Sequence, residues 1–126
     1  MKKALLKACT AEGRKKPGEV TVSFVNDKRI KGINLKYLKK SYPTDVIAFD
    51  SGDKKRMFAD IVISAERAVA NARTFKTAPH YELYLYAVHG MLHLLGYDDK
   101  YARQKLIMDK KTTAILHKLK IKPSHF

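Results

Sequence analysis

The chain has 126 residues, enough for a single buried core, and we predict one domain over residues 1–126. Apolar residues make up 45% of the chain, which is ordinary for a globular protein and argues against disorder. A lone cysteine, Cys9, excludes an internal disulfide, and no run of about 18 apolar residues predicts a membrane span. We therefore expect a cytoplasmic protein that does not contact membranes.

Positive charge is concentrated at the two ends of the chain. The formal net charge is +14, with +9 in residues 1–40, −2 in residues 41–99 and +7 in residues 100–126. A cationic surface of this kind binds a polyanion by releasing its counterions, and nucleic acid is the usual polyanion. Solubility is the alternative explanation. The charge pattern favours contact with RNA or the ribosome.

Apolar periodicity and turn residues predict eight elements in the order α-β-α-β-β-α-α-α. In chain order these are a helix over 2–12, a strand over 19–26, a helix over 27–40, strands over 44–49 and 57–64 that pair as a hairpin, and helices over 64–75, 80–96 and 98–120. The fold class is therefore α+β, with a small antiparallel or mixed sheet covered by helices and a zincin-like central helix.

Several residues predict how these helices begin, end and face the core. Ser64 is expected to cap the sixth element, Pro79 to begin the central helix and Gly96 to end it. Two sets of side chains are expected to face inward: Ile30, Ile33, Leu35, Tyr37 and Leu38 in the first set, and Tyr101, Leu106, Ile107, Thr113, Ile115 and Leu116 in the second.

Two histidines of the central helix, His89 and His93, are candidate metal ligands. Residues four apart on a helix have Cβ atoms roughly 5–6 Å apart on one face, so two imidazoles can bind one ion. Such a pair alone is weak evidence, because a histidine on an apolar face is more often a hydrogen-bonded core residue. His80, His117 and His125 have no partner at this spacing, and we expect them at the surface.

A third donor follows the helix. In a continuous helix, position 99 would lie about 9 Å further along the axis than His93 and on another side. A left-handed cap at Gly96 would turn the chain back, so that Asp99 could approach the same ion. Three protein ligands would then leave a coordination position for water and substrate. Alternatively, Asp98 and Asp99 cap the next helix.

The string HGMLHLLGYDD (89–99) resembles the HGxLHLxGYDH signature of the YbeY family, bacterial endoribonucleases and rRNA maturation factors. Asn34 and Tyr37, YPTDVIAF (42–49) and ADIVIS (59–64) are similar to that family's N-x-x-(Y/F)-R, TDVLSF and GDIxI segments. The order and spacing agree from roughly residue 3 to residue 118. The resemblance implies that the metal ligands are His89, His93 and the residue at position 99.

The sequence departs from that signature at four positions. Asp99 replaces the third histidine, which keeps a chemically sound site but makes it one charge less positive and shifts its preference toward harder ions. Leu38 replaces the family's arginine, and the adjacent Lys39 and Lys40 lack its two-pronged grip on phosphate. Ala48 and Ala59 replace a serine and a glycine.

The resemblance implies a metal-dependent, single-strand-specific endoribonuclease for rRNA maturation and ribosome quality control. The cofactor would be one divalent metal ion. Zn²⁺ is the favoured ion, and Ni²⁺ or another transition metal is the alternative. His89, Lys39 and Lys40 would be the catalytic residues, with rRNA and the small ribosomal subunit as partners of a monomer. The main alternative is an RNA-binding assembly factor with a structural metal.

Two further functions are disfavoured by the sequence. A zinc peptidase of the H-E-x-x-H type needs a glutamate general base where this chain has Gly90. A sequence-specific DNA-binding protein would need a recognition-helix signature, which we do not find.

Overall fold

The computed structural model describes residue 5 and residues 16–41, 44–53, 55–97 and 100–123. The strands in this part of the chain are β1 (Lys16–Val25), β2 (Val46–Asp50) and β3 (Arg56–Ser64). The helices are α1 (Asp27–Leu38), α2 (Ala65–Phe75), α3 (Pro79–Leu94) and α4 (Ala102–Lys118). The predicted helix over 2–12 lies outside the described residues, apart from Leu5. No helix in the described part is both long and apolar enough to cross a membrane.

The three strands form one mixed sheet in the order β1-β3-β2. β2 and β3 are antiparallel, with Val46 opposite Ile63, which confirms the predicted hairpin. β1 and β3 are parallel, with Val22 opposite Ile61. Parallel neighbours need a crossover connection, and here the chain between β1 and β3 contains α1 and β2. The sheet is thus mixed, one of the two forms that the sequence left open.

Helix α3 crosses the sheet and is the centre of the core. Its residues Ala87, Val88, Met91 and Leu92 are fully buried and pack with apolar side chains of β3 such as Ile61 and Ile63. Helices α2 and α4 also contact α3. Because α3 is surrounded by other elements, its apolar residues extend almost all round it, as expected for a buried helix.

Side-chain caps set where two helices begin. The Asn26 side chain accepts a hydrogen bond from the backbone N–H of Arg29 at 2.8 Å, at the start of α1. Ser64 Oγ accepts one from Arg67 N at 3.1 Å and donates one to Asp27 Oδ1 at 2.6 Å. These bonds satisfy N–H groups that the first helical turn leaves without partners. The predicted cap at Ser64 is confirmed, and it also links α2 to α1.

The inward faces of α1 and α4 differ from the prediction. Helix α1 buries Ile30 and Asn34, while three residues of the predicted set are exposed: Leu35, Tyr37 and Leu38. Helix α4 buries Met108, Thr112, Ile115 and Leu116, while Tyr101, Leu106, Ile107 and Thr113 are exposed. The buried residues are four apart in α1 and three or four apart in α4. Leu35, Leu106, Ile107 and Thr113 lie off these stripes, so apolar character alone assigned them to the wrong face. Tyr37 and Leu38 lie on the buried side but in the exposed last turn of α1, and Tyr101 precedes α4.

Candidate metal centre

His89 and His93 lie one turn apart near the end of α3. The helix begins with Pro79 in its first turn and ends at Leu94, and Gly96 follows with φ 103°. That left-handed conformation suits glycine, and the Gly96 N–H donates to the carbonyl of His93 at 3.0 Å. The predicted glycine stop is therefore present, directly after the two histidines.

The two imidazoles approach closely through their outer nitrogens. Their Nε2 atoms lie 3.1 Å apart, and the ring centroids are 4.7 Å apart with the planes at 76°. His89 is partly buried and His93 is exposed, so the pair lies where α3 reaches the surface. Two nitrogens on one zinc ion, each about 2.0–2.1 Å from it at a tetrahedral angle, lie about 3.3 Å apart. The donor spacing therefore fits one ion, and it also fits an N–H···N hydrogen bond between neutral rings.

The remaining predicted ligand is not part of the described structure. Asp99 lies outside the described residues, as does Asp98. Within the described ranges, no three His, Cys, Asp or Glu side chains form a group that could hold a metal ion. The structure thus brings two of the three predicted ligands together, and the third remains a prediction from the sequence.

Lys39 and Lys40 lie at the end of α1, in a different element from the histidines. Lys39 has φ 56° in the helix C-cap position, and both lysines are exposed. Leu38, at the position of the family's arginine, is 45% exposed. Among the described residues, no hydrogen bond joins either lysine to the imidazoles. A catalytic role for them therefore stays a prediction.

Gly90 is the point where α3 approaches the sheet most closely. It is buried, and a Cβ placed on it would lie 3.2 Å from Val46 Cγ2 and 3.4 Å from Ala48 Cβ. Both contacts come from β2. The residue after His89 therefore faces the sheet, and a side chain there would meet strand β2. This packing requirement explains a glycine in the middle of a helix, where it is otherwise unfavourable.

A buried acid and a buried phenol continue the face that carries the histidines. Glu82, Tyr86, His89 and His93 are separated by four, three and four residues, so they lie along one stripe of α3. Glu82 is 2% exposed and Tyr86 is 4% exposed. Asn71 of α2 donates a hydrogen bond from Nδ2 to the Tyr86 hydroxyl at 2.6 Å. This stripe of α3 is therefore buried and polar at Glu82 and Tyr86, and it reaches the surface at the histidine pair.

Burial raises the pKa of both Glu82 and Tyr86. It raises the pKa of Glu82 above its ordinary value; the hydroxyls of Thr77 and Tyr86 partly oppose this effect, and the Asp45 carboxylate adds to it. Burial likewise raises the pKa of Tyr86 to about 12. Neither residue was predicted as part of the site from the sequence. Their spacing from His89 was the available signal, because a glutamate seven residues earlier lies on the same helix face.

Comparisons with a family model and with known proteins indicate the same family. The model of the family described as Endoribonuclease YbeY matches residues 1–120. A protein of Karelsulcia muelleri called Endoribonuclease YbeY is 42% identical over 104 residues, which are 82% of this chain and 74% of that protein. One of the same name from Elusimicrobium minutum is 36% identical over 122 residues, covering 93% of this chain and 85% of its own length.

A solved structure agrees on the fold. The solution structure of a Thermotoga maritima protein superposes on this chain with a TM-score of 0.64 and 24% sequence identity. The match covers 99% of this chain and 85% of that one. The α+β class predicted from the sequence is therefore confirmed. With the family match over nearly the whole chain and relatives above one-third identity, the chain belongs to the YbeY family.

Proposed function

We propose that this protein is a metal-dependent endoribonuclease that cleaves single-stranded rRNA during small-subunit maturation and ribosome quality control. The endoribonuclease activity rests on family membership and on relatives that carry that name. The observation that supports the site is the 3.1 Å separation of the His89 and His93 Nε2 atoms. Two neutral imidazoles at this spacing are suitable donors for one divalent transition-metal ion.

In this proposal His89, His93 and Asp99 hold the ion, with Zn²⁺ the first candidate and Ni²⁺ or another transition metal as alternatives. The bound ion would supply Lewis-acid chemistry at a phosphoryl oxygen and a more acidic water. His93 is exposed and His89 partly buried, so an RNA phosphate can reach this end of α3 from solvent. A carboxylate in place of a third imidazole makes the site one charge less positive and favours harder ions.

The other parts of the chain would bind the RNA backbone. Lys39 and Lys40 are exposed at the end of α1 and would neutralise negative charge that develops on the phosphate. The basic ends of the sequence would contact phosphates without reading bases. The proposed partners are rRNA and the small ribosomal subunit, and the proposed state is a cytoplasmic monomer.

Cleavage of a labelled RNA by metal-loaded protein tests this proposal. We expect wild-type cleavage to be abolished by His89→Ala, because one of three ligands is lost. His117→Ala is the matched control, since His117 is exposed near the end of α4 and far along the chain from the site. Cleavage that persists unchanged in the His89→Ala protein would identify a contaminating nuclease and contradict the proposal.

One observation favours a second function, an RNA-binding assembly factor with a structural metal. Leu38 stands where the family has an arginine, and its apolar side chain is 45% exposed to solvent, where it offers phosphate no charged group. The variant Leu38→Arg separates the two functions. Cleavage that appears only in Leu38→Arg would support the assembly factor, whereas wild-type cleavage that this variant modestly increases would support the enzyme.

A further inference from the structure

One face of α1 lines an open groove. A cavity of about 570 Å³ is lined by Asn26, Lys28, Arg29, Gly32, Ile33, Lys36 and Tyr37. A second cavity of about 460 Å³ is lined by Phe24, Val25, Asn26, Arg29, Ala65 and Glu66. Because Asn26 and Arg29 line both, the cavities adjoin, and together they form what we call the α1 groove. Each volume is within the range of about 300–1,000 Å³ that is usual for ligand sites.

The α1 groove is positively charged. Lys28, Arg29 and Lys36 line it, and among the described residues of its lining Glu66 is the one acid. Glu66 accepts a hydrogen bond from the Asp27 N–H at 2.9 Å, so part of its carboxylate is already occupied. Within the described part of the chain, none of the three cations forms an ion pair. Three such charges along one helix face are suited to successive phosphates of a polyanion.

An exposed aromatic ring lies in each of the two cavities. Tyr37 is 59% exposed and Phe24 is 51% exposed. The ring of Tyr37 contacts that of Phe49 edge-on, with centroids 5.5 Å apart and planes at 65°. The Lys36 ammonium also lies 5.2 Å from the centroid of the Tyr37 ring, so a cation and an aromatic surface are adjacent in the groove. Rings of this kind stack on unpaired bases, which a duplex does not offer.

No described part of the chain gives Gly32 of the groove a packing reason to be glycine. A Cβ placed on it would meet no described residue within 4 Å, in contrast to Gly90, where it would meet strand β2. Gly32 also lies in the middle of α1, where glycine is a poor helix former. A ligand that approaches the helix backbone closely would make the missing side chain useful.

We propose that the α1 groove binds single-stranded RNA, with one base stacked on Tyr37 and the backbone held by Arg29 and Lys36. This inference rests on the proposed function, and it assigns to that function a surface that holds the substrate. Binding through stacking tolerates any base sequence, because every base has a flat face. The aromatic rings favour nucleic acid over an acidic protein segment, which would need only the cations.

Binding can be measured separately from cleavage. Fluorescence anisotropy with labelled 12-nucleotide oligouridine and oligoadenosine RNA gives Kd for the full chain, with EDTA present to prevent hydrolysis. We expect Tyr37→Ala to weaken binding roughly 5-fold or more, since one base loses its stacking partner. Tyr37→Phe keeps a ring and should bind nearly as wild type does. Leu35→Ala, an exposed apolar change on the same helix outside the groove, should have no effect.

Two further variants test the charge and the glycine. Lys36→Ala should reduce the slope of log Kd against log salt by about 0.7, whereas Lys31→Ala, outside the groove, should reduce it less. Gly32→Leu should weaken binding while raising the melting temperature, because it fills the groove and improves the helix. A binding loss accompanied by higher thermal stability cannot result from misfolding.

The outcomes separate this inference from the proposed function. Wild-type affinity in both Tyr37→Ala and Gly32→Leu would overturn the inference, even if cleavage depends on His89. Competition by polyglutamate that is insensitive to Tyr37→Ala would also overturn it, in favour of an acidic protein partner. RNA binding that requires Tyr37 and Gly32, together with no His89-dependent cleavage, would support the groove and remove the enzymatic function.

Discussion

Gly90 of α3 lies so close to Val46 of β2 that a Cβ at position 90 would come within 3.2 Å of the valine Cγ2 atom. The residue after the first histidine of the pair therefore points at the sheet. A glutamate there would complete the H-E-x-x-H string of zinc peptidases but would be buried against apolar side chains.

We predict that Gly90→Glu destabilises the protein by about 3 kcal/mol or more, because it buries a carboxyl group with no partner and overpacks the helix–sheet contact. Gly90→Ala is the matched control. Its cost should stay near 1 kcal/mol, since improved helix propensity offsets part of the close contact. Urea unfolding of the three proteins measures both values. Equal stability of wild type and Gly90→Glu would show that α3 does not pack on β2 at this position.

A second prediction concerns the buried carboxyl of Glu82. Its folded pKa is raised above 4.5, so the folded protein holds this proton more tightly than the unfolded chain does. The contribution of Glu82 to stability is therefore fully present below pH 4.5 and is lost as pH rises through the folded pKa. Glu82→Gln is neutral at every pH, so its stability relative to wild type should increase with pH.

Urea unfolding of wild type and Glu82→Gln from pH 4 to pH 8 measures this difference. Glu19→Gln provides a control, because Glu19 is exposed on β1. A difference between wild type and Glu82→Gln that does not change with pH would contradict the raised pKa.

The Tyr86 hydroxyl should contribute to stability through Asn71. Tyr86→Phe removes the acceptor of the 2.6 Å hydrogen bond, and we expect a loss of about 1–1.5 kcal/mol. Asn71 is partly buried, so water can satisfy its amide in part. A double-mutant cycle with Asn71→Ala isolates the pair. Additive effects of the two changes would indicate that the bond does not form in solution.

Substitution of Ser64 should lower the stability of the folded protein more than substitution of an exposed serine. It is fully buried, caps α2 and donates to Asp27, so Ser64→Ala removes two hydrogen bonds and should cost about 1–2 kcal/mol. Ser51→Ala in the exposed hairpin turn is the control and should be within about 0.5 kcal/mol of wild type. Similar melting curves for the two variants would contradict the role of Ser64.

Local signals in the sequence were sufficient to predict most of the described helices and strands. Ser64 and Gly96 act within a few residues of themselves, and both were placed correctly. The inward faces of α1 and α4 were partly wrong, because Leu35 and Leu106 resemble core residues in composition but lie off the buried stripe. Only the tertiary packing shows which stripe is covered. The prediction of one domain over residues 1–126 stays a prediction.

The candidate site was predictable to a similar extent. The spacing of His89 and His93 predicted that their rings meet, and the structure places their Nε2 atoms 3.1 Å apart. The contact between Asn71 and Tyr86 joins two helices, so no local pattern could reveal it. The α1 groove also depends on the neighbouring elements: Ala65 and Glu66 of α2 line it, and Phe49 of β2 contacts Tyr37.

We propose that the imidazoles of His89 and His93 bind one ion between them. Elemental analysis of protein purified without added metal, together with His93→Ala and the exposed control His117→Ala, measures this binding. We predict about one transition-metal ion per chain in wild type and in His117→Ala, and almost none in His93→Ala. Equal metal content in wild type and His93→Ala, or none in either after incubation with Zn²⁺ and desalting, would contradict the claim.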